Sequence, residues 1–95
     1  LSTENLQVSV NESAKRFELQ AGEETAYIDF AWQHDILNLL YVYVPIPFRG
    51  KGYSTVLIEY ALKYAREKNV KIKVYCSYIN GYLRRHPEHH DLMAV

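Results

Sequence analysis

Gly50 and Gly52, interleaved with Arg49 and Lys51 and followed by Tyr53, Ser54 and Thr55, are the residues whose types and spacing most directly suggest chemistry. Glycine lets a backbone curl close to an anion. The first N–H groups of a helix that follows have no intrahelical partners, and the helix dipole adds roughly half a positive charge at that end. Arg49 and Lys51 reinforce the field. The first helical turn, expected from Thr55 to Ile58, contains no Asp or Glu, the residues that ordinarily stabilise an unliganded helix start. The combination points to a phosphate-binding turn. The alternative is a structural glycine turn flanked by two solvated cations, since short glycine motifs recur by chance.

Cys76 is the single cysteine. Its parity with Val70, Ile72 and Val74 makes it a buried thiol, and buried cysteines are ordinarily inert. Its place at the end of a strand, next to Ser77 and a helix start, would instead favour a reactive thiolate. His86, His89 and His90 with Glu88 and Asp91 form a titratable cluster, but His-x-x-His-His across a proline-terminated helix end has no established ligand geometry. A solvated tail and no metal site are expected. His34, between Gln33 and Asp35, reads as a surface turn residue, and Arg84 and Arg85 as a basic helix end complementing its own dipole.

The elements that must position these residues follow from periodicity. Leu6, Val8 and Val10 alternate with polar residues, as do Phe17 and Leu19 after an Asn11-Glu12-Ser13 turn, which predicts a β-hairpin. Ala26, Ile28, Phe30 and Trp32 share a parity and predict a half-buried third strand. Ile36 to Val44 is apolar on both parities, the pattern of a central strand covered on both faces. Pro45 and Pro47 end it. From Thr55 the spacing becomes helical, with Val56, Leu57, Tyr60, Ala61, Tyr64 and Ala65 on one face as far as Lys68-Asn69, and Tyr60 and Tyr64 are assigned to the core. A fifth strand follows from Val70, and a second helix capped by Ser77 runs to about His86, burying Ile79, Tyr82 and Leu83. A strand, helix and strand in one sheet should form a parallel crossover, so strands four and five lie together. The fold class is mixed α+β.

Composition narrows the function. The length of 95 residues is that of one domain. With 48% hydrophobic and 23% charged residues the chain should fold, and nine tyrosines supply core bulk. Eleven basic residues balance eleven acidic ones, so no net field favours nucleic acid. The longest apolar-rich stretch, Ile36 to Phe48, falls well short of the roughly twenty residues of a membrane span. A lone cysteine and the lack of a leader-like opening make the cytoplasm the expected compartment.

Arg49-Gly50-Lys51-Gly52-Tyr53-Ser54 resembles the Arg/Gln-x-x-Gly-x-Gly/Ala signature of the GNAT superfamily, the acetyl-coenzyme A dependent N-acyltransferases. Together with Val44-Pro45, Tyr64-Ala65-Arg66-Glu67, Cys76-Ser77-Tyr78 and Arg85-His86-Pro87-Glu88, it resembles the small YjdJ-type group over about residues 36 to 92. The resemblance implies a GNAT-like mixed sheet of about five strands with two helices, in the order β-β-β-β-α-β-α. It also implies a coenzyme A site in which amides from Gly50 to Ser54 cradle the pyrophosphate, joined by Val44, Thr55, Ser77 and Tyr82. The pantetheine arm would enter between splayed strands four and five, and acetyl would pass to an unidentified amine on a small molecule or protein. Cys76 is then the candidate catalytic residue. Where the small group commonly reads His-Thr-Glu-Val-Pro, this chain has Tyr41-Val42-Tyr43-Val44-Pro45, which removes a proton-handling pair. A non-catalytic acyl-coenzyme A binding or protein-interaction module is the alternative.

Overall fold

A computed structural model describes residues 6–94 of the chain. Strands β1 (Ser9–Asn11), β2 (Arg16–Ala21), β3 (Glu24–Gln33) and β4 (Ile36–Tyr43) precede helix α1 (Tyr53–Lys68), strand β5 (Lys71–Val74) and helix α2 (Ser77–Arg85). Two 3-10 turns, Ile46–Phe48 and Pro87–Leu92, complete the order. The strands form one sheet in the order β1-β2-β3-β4-β5, antiparallel through β4, with β5 parallel to β4 as the crossover rule requires. This is the mixed α+β architecture of five strands and two main helices expected from the sequence.

Helix α1 covers one face of the sheet. Its buried residues Tyr53, Leu57, Ile58, Ala61, Leu62 and Ala65 meet a sheet face made of Phe17, Leu19, Ile28, Phe30, Leu37 and Leu39. Phe17 lies at the centre, with its ring centroid 4.7 Å from Phe30 and 5.1 Å from Tyr64. Ile58 and Leu62 therefore replace Tyr60 and Tyr64 as core residues. The two tyrosines are half-buried at the margin, where the Tyr64 hydroxyl donates to Glu12. Helix α1 begins at Tyr53, two residues before the expected start, because Gly52 adopts the left-handed conformation (φ 87°) and serves as its N-cap.

Strand β4 is covered on both faces, as expected, only from Leu37 to Leu39, where successive residues are buried; beyond that the expectation is corrected. Asp29 pairs with Tyr41 and Phe30 with Leu39, so Leu40 is an extra residue, a β-bulge. The bulge switches parity. Leu37 and Leu39 before it and Val42 and Val44 after it all turn to the helix side, while Tyr41 and Tyr43 turn to the other face against Tyr27. Beyond Leu39, apolar residues occur at both parities because the strand changes parity; there the face opposite the helices is open. Leu40 and Tyr41 are 40% and 50% exposed. Strand β4 is interior but lies one place from the edge of the sheet.

The histidine-rich end also differs from expectation. Instead of a solvated tail, Pro87–Leu92 folds back on α1 and β5. Leu92 is buried, His90 bonds the Leu83 carbonyl at 2.8 Å, and the Ala94 amide donates to the Ile72 carbonyl at 2.8 Å. Arg66 grips Asp91 through two bonds of 2.8 and 3.1 Å, an exposed pair that solvent screens. Among the described residues no helix is long and apolar enough to cross a membrane.

Deleting Leu40 should leave a folded protein, since removal of the bulge keeps Leu37, Leu39, Val42 and Val44 on one face. Pairing between β4 and β5 should then extend past Leu39 and Val74, seen as new amide-exchange protection at Ser77, the next β5 amide after Tyr75 that faces β4. An unfolded deletion variant would show that the bulge is required for the core as well.

Candidate functional site

The last described hydrogen bond between β4 and β5 runs from the Tyr75 amide to the Leu39 carbonyl, at 2.9 Å. Beyond it the chains diverge. Strand β4 is bent by the Leu40 bulge and stopped by Pro45 and the 3-10 turn, while β5 runs directly into α2. The gap is a cleft of about 640 Å³, within the range of about 300 to 1,000 Å³ typical of small-ligand sites.

Both helices that follow these strands start at the cleft. The first intrahelical bonds are Val56 N–H to the Gly52 carbonyl and Asn80 N–H to the Cys76 carbonyl, both 3.0 Å. The amides of Tyr53, Ser54 and Thr55, and those of Ser77, Tyr78 and Ile79, therefore have no partner within their own helix. Neither N-cap offers a side-chain bond, and neither first turn contains an acidic residue. Two positive helix ends thus converge on one opening. Across it, the Ser54 and Tyr78 hydroxyls share a 2.9 Å hydrogen bond.

Val44, Arg49, Gly50, Tyr53, Ser54, Cys76 and Ser77, all selected from sequence, line this cleft. Lys51 and Thr55 are exposed beside it, and Gly52 forms the cap behind it. Arg49 is also structural, because its Nε donates to the Val44 carbonyl at 2.8 Å and ties the loop to the end of β4. Cys76 is half-buried rather than sealed in the core, and it, not Ser77, occupies the N-cap of α2. Gly50 has a φ of 76° and no atom within 4 Å of where a Cβ would sit, so its backbone faces open space.

Tyr82 is not brought to the cleft. It is buried against α1, where its hydroxyl donates to Glu59, and the His86 ring stacks on it at 4.0 Å. Burial, and then the bond to Glu59, raise its pKa above the ordinary 10.0. His89 reaches the same carboxylate at 3.2 Å. No group of three or more potential metal ligands occurs among the described residues. His34 lies in the β3–β4 turn, at the opposite end of β4 from the cleft.

Sequence reasoning missed the aromatic wall. Tyr41, Tyr43, Tyr75, Tyr78 and Phe48 line the cleft together with Leu40. Tyrosines at 41 and 43 followed by 75 and 78 bracket the glycine loop, but the pattern of a doubly covered strand assigns Tyr41 and Tyr43 to the core. Burial, and then Glu24, which accepts a hydrogen bond from its hydroxyl at 3.3 Å, raise the pKa of Tyr43. Among the described residues, no carboxylate or histidine lines the cleft.

A mixed sheet whose fourth and fifth strands part around a glycine-capped helix start defines the class. The family model described as GCN5-related N-acetyl-transferase matches residues 16–92, and the chain belongs to that family. The fold is similar to the NMR solution structure of a GCN5-like protein from Staphylococcus aureus. That similarity has a TM-score of 0.67 at 21% identity and covers 96% of this chain and 90% of that one.

Removing the Tyr82 hydroxyl tests its structural placement. Tyr82→Phe should lower stability at pH 7 by about 1 kcal/mol and leave the amide resonances of Gly50 to Ser54 unmoved. A phenol with a raised folded-state pKa contributes fully below pH 10 and loses that contribution as pH rises further. The gap between parent and variant should therefore narrow at pH 11, as measured by denaturant titration.

Proposed function

We propose that this chain binds acetyl-coenzyme A in the β4–β5 cleft and transfers the acetyl group to an amine. The observation that carries the reading is the pair of acid-free helix starts facing one cleft, neither with a side-chain cap bond, with Gly52 in the left-handed conformation at the start of α1 and Arg49 beside it. An isolated helix start is normally stabilised by a capping side chain or an acidic residue; here both are missing twice at one place. A pyrophosphate against the amides of Gly50 to Ser54 would supply the missing negative charge. The Ser77 and Tyr78 amides face the same opening. The pantetheine arm would lie along the edge of β4 beyond Leu39, where the backbone has no strand partner on the β5 side. A reducing cytoplasm suits the single half-buried thiol.

The residues present act by binding and alignment. Holding an amine against a thioester carbonyl in near-attack geometry removes much of the entropic barrier, and free N–H groups along the β4 edge would polarise that carbonyl. With no carboxylate or histidine among the described residues of the cleft wall, the acceptor would lose its proton to solvent before attack. Activity should therefore rise with pH through the acceptor's own pKa. The same observation favours, as a second reading, a module that binds acyl-coenzyme A without turnover.

Ser54→Asp separates the coenzyme site from stability. A carboxylate in the first turn of α1 should leave the protein as stable as the parent or up to about 1 kcal/mol more stable, while abolishing the thermal shift with coenzyme A. In the parent, ligand at 100 times its Kd should add about 2.7 kcal/mol. Unchanged affinity in the variant would place the coenzyme elsewhere.

Cys76 is the candidate for covalent catalysis. In direct transfer, the route we favour, Cys76→Ala keeps coenzyme binding and most of the activity, and mass spectrometry of the parent after acetyl-coenzyme A alone shows an unmodified thiol. Acetylated Cys76 together with an inactive Ala variant would establish an acyl-enzyme route instead.

A further inference from the structure

The wall of the cleft on the helix-free face of the sheet is made of tyrosines. The parity switch at Leu40 turns Tyr41 and Tyr43 to that face, where the Tyr27 ring centroid lies 6.4 Å from one and 5.4 Å from the other. Tyr75, 61% exposed, stands across the gap, past the end of β5. Three of these four rings line the cleft itself. The shelf already carries a cation: the Arg16 guanidinium sits 3.8 Å from the Tyr27 ring centroid. Arg16 is neutralised by Asp29 at 2.8 Å, and Lys73 lies two residues before Tyr75. Glu24, at the Tyr43 end, has no cationic partner among the described residues. On the helix side, by contrast, the polar features are those that attract an anion.

We infer that this shelf receives the acceptor as a primary alkylammonium, held over the faces of Tyr41, Tyr43 and Tyr75 with Glu24 balancing its charge. The π-faces of neutral tyrosines attract a cation, and the flat rings cover the methylenes behind it. A carboxylate-bearing amino acid would meet those same negative faces and Glu24, and would be rejected. For turnover the inference rests on the transferase reading; for binding it does not. In turnover the bound ammonium releases one proton to solvent and its nitrogen lone pair attacks the thioester carbonyl carbon. The C–S bond breaks, and the sulfur leaves as thiolate and takes the second proton shed by the nitrogen. The products are an N-alkylacetamide, the free thiol of coenzyme A and one solvent proton.

The test uses NMR titration of the intact chain with four probes: Nα-acetyl-lysine amide, its Nε-trimethyl form, the uncharged isostere Nα-acetyl-norleucine amide, and spermidine. The two lysine compounds should shift the ring resonances of Tyr41 and Tyr43, with norleucine amide at least tenfold weaker. Tyr41→Leu and Tyr43→Leu should each weaken lysine-amide binding roughly three- to thirtyfold, and Tyr41→Phe should restore it. Equal binding of norleucine amide, or indifference to both leucine variants, overturns the inference and leaves the coenzyme reading standing. Ammonium binding in a protein that does not bind coenzyme A overturns the transferase reading and leaves this one. Tighter binding of spermidine than of lysine amide assigns the site to free polyamines, and the reverse order assigns it to lysine side chains.

Discussion

Pairing between β4 and β5 stops after Leu39 and Val74, and the rest of the site depends on that stop. A bulge adds one residue to one strand, bends it and increases its twist. Here the added residue is Leu40, so β4 turns away from β5 where β5 is about to become α2. Pro45 and Pro47 then prevent β4 from resuming a regular strand. The result is an opening between two parallel strands inside an otherwise continuous sheet. Since a parallel strand pair places the helices that follow at the same end of the sheet, both helix starts necessarily meet at that opening.

This arrangement has a cost in the absence of a ligand. Neither N-cap makes a side-chain bond; that forgoes a few tenths of a kcal/mol at Gly52 and about 1 kcal/mol at Cys76. The Ser54–Tyr78 bond recovers part of this by tying the two first turns together. The larger compensation is distant: six buried residues on α1 and three on α2 anchor the helices through their bodies rather than their starts. Buried Leu, Ile and Tyr side chains contribute about 1.5 to 3 kcal/mol each, so the termini can remain unsatisfied without loss of the fold. The C-terminal segment adds to this anchoring through Leu92 and through His89 on Glu59, which also holds the Tyr82 hydroxyl. That cluster belongs to the support of the site rather than to its surface.

Much of this was legible in the residues, for identifiable reasons. Alternation in β2 and β3 and the helical period of α1 are long patterns with one buried face, and they set the element order. The glycine loop was readable because Gly50, Gly52 and the acid-free turn after them depart from what an ordinary helix start contains. The bulge was not, because a parity switch and a doubly covered strand both place apolar residues at odd and even positions. Only the pairing of Phe30 with Leu39 and Asp29 with Tyr41 distinguishes them. For the same reason Tyr41 and Tyr43 were read as core instead of as cleft wall. Tyr82 was assigned to the ligand site by resemblance, but its ring is buried and its hydroxyl meets Glu59 on α1 instead. The histidine tail was misjudged because its polar residues hide the two that bury it, Leu92 and Met93.

The central claim is that two helix starts and one strand divergence form a single anion-binding cleft. A two-dimensional 15N–1H titration of the protein with coenzyme A tests it residue by residue. The largest shifts should fall on Gly50, Gly52, Tyr53 and Ser54, with a second group at Ser77 and Tyr78, and little change should occur at Tyr82 or at the β3–β4 turn. Shifts confined to surface lysines outside the cleft, or shifts at α1 without any at α2, would contradict the account.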